Sequence, residues 1–260
     1  MLDKVNRAVH HAYSARVEAF IHQSGLYPFL YGVYERLLGL AYRPDTYSFT
    51  IDDEPVEYHM THDAEIVSIL HTFEKEADII TTFTDYLQDD DVVWDIGANL
   101  GVYTVAAAAV ADRVIGFEPH PVTAGRAREN LALNGFENAA VRELGLWDET
   151  TTSALETDRD ELGTQTPRVE ETGSLSIDLV RGDDVDARPP TALKIDVEGA
   201  EGRVLAGLDD VLPSVRVLLL EAHSEGCRQW LRERSFSVST IGRHNGEEFL
   251  LAERVDAGMR

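Results

Sequence analysis

Cysteine, lysine and long apolar runs are all scarce in this chain of 260 residues. The single cysteine, Cys227, excludes an internal disulfide and a cysteine-rich zinc site. Lysine occurs only at positions 4, 75 and 194, so arginine carries nearly all of the positive charge. No apolar run is a secure membrane span, and no positively charged leader with an apolar core opens the chain. We therefore expect a cytoplasmic protein.

Positive charge as a whole is also scarce. Acidic residues outnumber basic ones 47 to 23, and the net charge is -24 at pH 7. Such a surface keeps a protein soluble in concentrated salt, where the repulsion between its charges is screened within a few ångströms. The acidity and the lack of lysine together predict a protein of a halophile. The same surface would repel a phosphate backbone, so we expect no nucleic acid as a partner.

The most informative segment is an apolar strand that ends in an acid and a glycine turn. Strand residues 92–94 lead into Asp95, and the turn runs through Gly97 to Gly101, where a helix begins. A dinucleotide site has glycines spaced as G-x-G-x-x-G, and an acid beside them would repel the pyrophosphate. An anionic Asp95 suits the ammonium group of S-adenosylmethionine instead. The spacing favours that cofactor over the nicotinamide of a dehydrogenase.

Three further strands end in acids. Glu118 follows an apolar strand at the separation expected for a carboxylate that accepts hydrogen bonds from ribose hydroxyls. Asp196 follows another apolar strand, and Glu221 ends a third. Ligands of an open parallel sheet gather at the carboxyl ends of its strands. These three acids and Asp95 should therefore face one crevice.

Five segments of the chain resemble one family. DIGANLGVYT, GFEPHP, ENLALNG, LKIDVEGAE and LLLEAH are similar to segments of the FkbM-type S-adenosylmethionine-dependent methyltransferases, over roughly residues 47 to 253. The resemblance implies an α/β, Rossmann-like class I fold, with a seven-stranded, mostly parallel sheet and an antiparallel edge strand. It implies methyl transfer, mostly to sugar or polyketide hydroxyls, and an adenine contact at Leu146. The residues expected to bind the cofactor are Asp95, Gly97, Ala98, Asn99, Gly101, Thr104, Glu118, Leu146 and Asp196.

A hydroxyl acceptor must also lose its proton. The candidate bases are Asp196, Glu198 and His223, and we favour His223 because histidine titrates near neutrality. Lys194 lies on the same strand face as Asp196 and is expected either to orient that acid or simply to pair with it. The acids near His223 are also suitable ligands for a divalent cation, but acids are common in this composition and no metal is assigned.

The chain divides into a helical N-terminal extension, residues 1–46, and a methyltransferase domain, residues 47–260. The apolar, aromatic segment 25–42 is expected to dock on the catalytic domain or on a second subunit, or else to lie peripherally on the inner membrane surface. Further predictions are a hairpin from residues 47–51 and 56–60, two helices at 64–73 and 74–87, a surface excursion at 149–173, a helix at 204–211, and a hairpin of 236–241 with 248–252 across Asn245-Gly246.

The function predicted from these features is O-methylation of a sugar hydroxyl or carboxyl, in a cell-surface or lipid-linked glycan. Three alternatives remain: a non-catalytic S-adenosylmethionine-binding scaffold, a methyltransferase of a small secondary metabolite, and a nicotinamide dehydrogenase. No segment like Asn-Pro-Pro-Tyr follows the fourth strand, which disfavours methylation of adenine or glutamine nitrogens.

Overall fold

The computed structural model describes residues 45–156, 168–170, 175–224, 226–244 and 247–255. The predicted N-terminal extension lies outside these residues except for its last two positions, as does the Asn245-Gly246 turn. Among the described helices, none combines the length and the apolar character needed to cross a membrane.

A seven-stranded sheet forms the centre of the fold. Its neighbouring strands are parallel from one side as far as the fifth, and helices follow several of them, so the expected α/β class is confirmed. The antiparallel strand lies one place inside the edge and not at the edge as predicted, because the final hairpin inserts its second strand. In spatial order the strands are β12 (Phe236–His244), β13 (Glu247–Arg254), β11 (Val217–Ala222), β10 (Ala192–Ile195), β3 (Val92–Ile96), β4 (Arg113–Phe117) and β5 (Ala139–Arg142).

The two central strands bring the predicted acids together. Both β3 and β10 are buried on both faces, as expected of near-continuous apolar strands. Their register pairs Lys194 with Asp95 and Ile195 with Ile96. Just past the paired residues, the backbone N–H of Asp196 donates to the carbonyl of Ile96 over 3.0 Å. The end of β10 therefore lies directly beside the glycine loop.

One long helix replaces the two helices predicted between residues 64 and 87. It runs without a break because no glycine or proline separates the two segments, and its buried Ile69, Phe73, Ile80 and Phe83 recur at helical spacing. The helices are α1 (Asp63–Tyr86), α2 (Val102–Ala108), α3 (Pro121–Leu133), α4 (Glu201–Ala206) and α5 (Gly226–Glu233).

Helix α4 lies earlier in the chain than the predicted helix at residues 204–211. It ends at Ala206 because Gly207 follows in tight contact with a neighbouring loop. A Cβ at Gly207 would lie 1.9 Å from the carbonyl oxygen of Trp147. The first hairpin agrees with the prediction and consists of β1 (Thr46–Ile51) and β2 (Glu54–His59).

Two strands of a second, four-stranded sheet lie in the segment predicted as a surface excursion, and residues 149–152 are exposed as that prediction expects. Leu155, Ile177 and Leu179 pack into a small apolar cluster that gives these strands their own core. The many threonines and charges hid this period-two pattern. In spatial order its strands are β6 (Gly145–Trp147), β9 (Leu175–Arg181), β7 (Thr151–Glu156) and β8 (Arg168–Glu170).

Candidate active site

The glycine loop after β3 forms one side of the candidate site. Gly97 has a φ of 81°, and the N–H groups of Gly97 and Ala98 both donate to the carbonyl of Phe117 over 3.0 Å. A Cβ at Gly97 would lie 1.8 Å from the carbonyl oxygen of Asp196. Gly101 has a φ of 82° and precedes α2, and Asn99 also has a positive φ. The loop therefore has the tight backbone approach that its spacing predicts.

Glu118 lies against this loop. Its two carboxylate oxygens accept the backbone N–H groups of Asn99, over 3.0 Å, and His120, over 2.9 Å. Burial raises the pKa of Glu118 to about 7, although those two hydrogen bonds favour the ionised form. Each oxygen keeps a lone pair for a further donor. The carboxyl is therefore placed and held as a ribose-binding acid would need to be.

Asp95 lies beneath the loop and is 1% exposed. Thr104 Oγ1 donates to its Oδ2 over 2.6 Å, and Lys194 Nζ lies 3.4 Å from its Oδ1 without hydrogen-bond geometry. Burial raises the pKa of Asp95, while Lys194 opposes that shift. Thr104 was predicted as a cofactor contact. Its side chain is wholly buried, and its hydroxyl donates a hydrogen bond to Asp95. Direct contact between Asp95 and an ammonium group stays a prediction.

Lys194 joins this side of the site to the other. Its Nζ donates to the carbonyl of Gly97 over 3.0 Å and lies 3.3 Å from Oδ2 of Asp196. Burial alone would lower the pKa of Lys194, but Asp196 and Asp95 outweigh that effect and raise it. The ammonium also lies 4.9 Å from the ring centroid of Tyr103. Because two carboxylates balance its charge, Lys194 keeps its proton and holds Asp95 and Asp196 in position.

The other side of the site is lined by acids. Asp196 ends β10, and its Oδ1 makes no hydrogen bond within the described residues. Glu221 near the end of β11 contacts the carboxyls of Asp196 and Glu247. Burial raises the pKa of Glu221, and the negative charge of Asp196 adds to the rise. Donors compensate the carboxyls of the glycine loop, whereas these carboxyls face one another.

His223 lies within this group of carboxylates. Its Nδ1 is 2.9 Å from Oε1 of Glu201, and its Nε2 is 3.2 Å from Glu247 and 3.5 Å from Glu198. Burial opposes the charged imidazole, but Glu201 and the other carboxylates outweigh burial and raise the pKa of His223. Because a raised pKa favours the charged imidazole, this geometry makes His223 a poorer general base than its residue type indicates, and its role stays a prediction.

Two acids of the site were not predicted. Glu76 of α1 accepts the Tyr103 hydroxyl over 2.9 Å, and burial, followed by the charge of Asp196, raises its pKa to about 7. A signal was present, because Glu76 falls at helical spacing between the buried Phe73 and Ile80. Glu247 begins β13, directly after the predicted Asn-Gly turn, and that position places it at the carboxyl edge of the sheet.

Leu146 differs from its predicted role in the adenine wall. The side chain is 3% exposed and packs in the main apolar core with Phe117 and Leu208. Little of the side chain is available to a ligand, although the backbone of Leu146 lies within β6. We use two names below. The glycine-loop side consists of Asp95, residues 97–101 and Glu118, and the acidic side consists of Asp196, Glu198, Glu221, His223 and Glu247.

The parallel sheet, the glycine loop after β3 and the acid after β4 define a class I S-adenosylmethionine-dependent methyltransferase. The FkbM methyltransferase domain matches residues 95–238. The chain belongs to that family and uses S-adenosylmethionine as its cofactor. The residues present fit this group, because Glu118 presents two carboxylate oxygens that are already oriented by the backbone N–H groups of Asn99 and His120.

Three known proteins are similar to this chain. The chain is 27% identical over 188 residues to the hexuronic acid methyltransferase AglP of Haloferax volcanii, a match that covers 69% of this chain and 77% of the relative. It is 29% identical over 174 residues to the 31-O-demethyl-FK506 methyltransferase FkbM of Streptomyces tacrolimicus, covering 53% and 67% of the two chains. The crystal structure of an FkbM methyltransferase from Methylobacillus flagellatus matches with a TM-score of 0.49 and 16% identity, over 64% of this chain and 44% of that one.

Proposed function

We propose that this protein is an O-methyltransferase whose acceptor is a hydroxyl or carboxyl group of a sugar, in a cell-surface or lipid-linked glycan of a halophile. The observation that carries the proposal is the acidic side, where carboxylates lie beside the glycine loop. Carboxylates accept hydrogen bonds from hydroxyls, and a sugar presents several hydroxyls at once. The similarity to a hexuronic acid methyltransferase of Haloferax volcanii and the net charge of -24 support the same assignment.

When bound, S-adenosylmethionine supplies a sulfonium methyl group for an in-line displacement. We assign the proton acceptor to Asp196, because Lys194 holds its Oδ2 and its Oδ1 makes no hydrogen bond within the described residues. A hydroxyl acceptor would gain the methyl group, its proton would pass to Asp196, and neutral S-adenosylhomocysteine would be left. A carboxylate acceptor would need no base. The fixed carboxylate supplies both orientation and general-base catalysis. We prefer Asp196 to His223 in this role because the carboxylates around His223 raise its pKa and so disfavour the neutral imidazole that a base requires.

A second candidate acceptor is a hydroxyl of a small secondary metabolite. The similarity to the FK506-type methyltransferase of Streptomyces tacrolimicus favours it. A scaffold without activity is the weaker alternative, because Lys194 and Asp196 form an ordered pair beside the cofactor loop. The proposed location is the cytoplasm, with residues 1–46 reaching the inner membrane surface or a second subunit. Nucleic acid is not a proposed partner.

The test is methyl transfer from S-adenosylmethionine that carries a deuterated methyl group. The acceptors are oligosaccharides ending in a hexuronic acid, neutral oligosaccharides and a macrolide alcohol, each assayed in concentrated salt and analysed by mass spectrometry. We expect the label on a sugar, and loss of about a hundredfold or more of the rate in Asp196→Asn. The control is Asp209→Asn, an exposed acid paired with Arg234 on the loop that precedes β11, at the opposite edge of the sheet.

Label on the macrolide alone would move the assignment to the second candidate. No label on any acceptor, with S-adenosylhomocysteine still bound by the protein, would favour the scaffold. A fully active Asp196→Asn would leave methyl transfer intact and overturn the role of Asp196.

A further inference from the structure

Three donor groups of the acidic side converge on one point. Glu221 and His223 project from the same face at the end of β11, since they are two residues apart on an extended chain. The antiparallel register pairs Ala222 with Glu248, which places Glu247 opposite His223. One donor atom from each of Glu221, His223 and Glu247 lies within 4.8 Å of the others.

The histidine of this group is oriented from behind. The carboxylate of Glu201 is buried, lies 2.9 Å from Nδ1 of His223, and also accepts the backbone N–H of Gly199 over 2.8 Å. This contact turns Nε2 toward Glu247. Nε2 is buried and lies 3.2 Å from a carboxylate oxygen of Glu247, without hydrogen-bond geometry to any described residue. A carboxylate behind the distal nitrogen is the usual support of a metal-ligating histidine.

The balance of charge points the same way. Four carboxyl groups surround His223, and one imidazolium cannot neutralise them all. Glu201 is buried and Glu221 and Glu247 are partly buried, and carboxylates withdrawn from water require a compensating charge or a proton. A divalent cation would compensate two of them in the space between the three donors. The four carboxyl groups are those of Glu198, Glu201, Glu221 and Glu247.

We propose that Glu221, His223 and Glu247 bind one divalent cation, which displaces the proton from Nε2 of His223, and that this cation receives oxygen atoms of the acceptor sugar. Two carboxylate oxygens with one imidazole nitrogen suit Mn²⁺ or Zn²⁺ better than Ca²⁺, which takes oxygen ligands. Three protein ligands leave coordination positions open for a substrate.

The role toward the sugar rests on the proposed function. Without a cation, the acidic side would repel the carboxylate of a hexuronic acid, because its own carboxyls already face one another. With the cation in place, the same side attracts that carboxylate. The metal would then hold the acceptor while Asp196 accepts the proton.

The direct test is a titration with Mn²⁺ in which binding is measured by electron paramagnetic resonance. Concentrated salt in the buffer suppresses loose association of Mn²⁺ with the acidic surface. We expect one tightly bound Mn²⁺ per chain. We expect His223→Gln and Glu247→Gln to weaken binding by roughly a hundredfold, and Glu201→Gln, which removes the support of the histidine, by roughly tenfold. The control is Glu253→Gln. Glu253 is an exposed acid of β13 that lies opposite Val217 in the strand register, at the other edge of the sheet. This variant should bind Mn²⁺ as the parent does.

Circular dichroism and S-adenosylhomocysteine binding verify that each variant is folded. Equal Mn²⁺ affinity in the parent, His223→Gln and Glu247→Gln would overturn the site, as would no bound Mn²⁺ in the parent. A chelated protein that methylates a sugar at the full rate would overturn the metal's role and leave the proposed function standing. A tight Mn²⁺ site in a protein that methylates no sugar would overturn the proposed function and leave the metal site standing.

Discussion

The carboxyls of the glycine-loop side are held by donors, whereas those of the acidic side are held by one another. Glu118 accepts two backbone N–H groups, and Asp95 accepts the Thr104 hydroxyl. Glu221, by contrast, meets the carboxyls of Asp196 and Glu247. The first arrangement is complete without a ligand cation. The second arrangement leaves like charges in contact, which is costly unless a proton or a cation enters.

The glycine-loop side therefore has a fixed geometry, whereas the geometry of the acidic side depends on what it binds. The glycine-loop side is built from backbone contacts that any folded copy of the chain will form. The acidic side depends on side chains from β10, β11, β13 and α4, whose protonation and ligands will change with conditions. The predictions below test that distinction.

The largest effect is expected from Gly97→Ala. The added Cβ would lie 1.8 Å from the carbonyl oxygen of Asp196, at a φ of 81°. We expect a loss of about 3 kcal/mol in the free energy of unfolding, measured in urea, and no detectable binding of S-adenosylhomocysteine.

The matched control for that change is Gly125→Ala. A Cβ there meets nothing within 4 Å, and the residue lies within α3. Alanine should stabilise this helix by up to about 1 kcal/mol. Equal stability of the two variants would show that the loop tolerates a side chain.

A smaller effect of opposite sign is expected from Glu221→Gln in metal-free protein at pH 7. Removing a buried carboxyl that faces Asp196 and Glu247 should raise the free energy of unfolding by about 2 kcal/mol. Urea unfolding in the presence of a chelator measures this. Glu253→Gln should stay within about 0.5 kcal/mol of the parent. A destabilised Glu221→Gln would mean that the carboxyls of the acidic side are already satisfied.

The smallest effect concerns pH and Glu118. Because burial raises its pKa to about 7, the carboxyl is ionised above that pH and protonated below it. Only the ionised form accepts hydrogen bonds from ribose at both oxygens. The affinity for 5′-methylthioadenosine, which keeps the ribose but lacks the titrating ammonium, should fall about tenfold from pH 8 to pH 6. Calorimetry measures this, and Glu118→Gln should bind weakly at both pH values. A flat profile in the parent would contradict a contact between Glu118 and the ribose.

The glycine-loop side could be predicted because its parts are close in sequence. Asp95, Gly97 and Gly101 belong to one strand, turn and helix, and the spacing of glycines reports backbone geometry directly. Glu118 follows from the next strand. The seven strands were predictable for the same reason, since apolar runs alternate with helices along the chain. Sequence alone did not show that the Thr104 hydroxyl donates to Asp95, because that contact depends on how the buried side chains pack.

The acidic side was predictable only in part. Asp196, Glu221 and His223 were expected at one edge, since each follows a parallel strand. Glu247 joins them through a long-range antiparallel pairing, and Glu76 comes from a helix packed across the sheet. The protonation of His223 depends on these partners, so its role as a base could not be judged from its residue type.

The most direct test of the distinction between the two sides is calorimetric titration of S-adenosylhomocysteine at pH 8 into the parent, Glu118→Gln and Glu247→Gln. We predict that Glu118→Gln weakens binding by about tenfold or more, because a charged acceptor of ribose hydroxyls is lost, and that Glu247→Gln binds as the parent does. Unchanged binding in Glu118→Gln, or an equal loss in both variants, would contradict the division of the crevice into a cofactor side and an acceptor side.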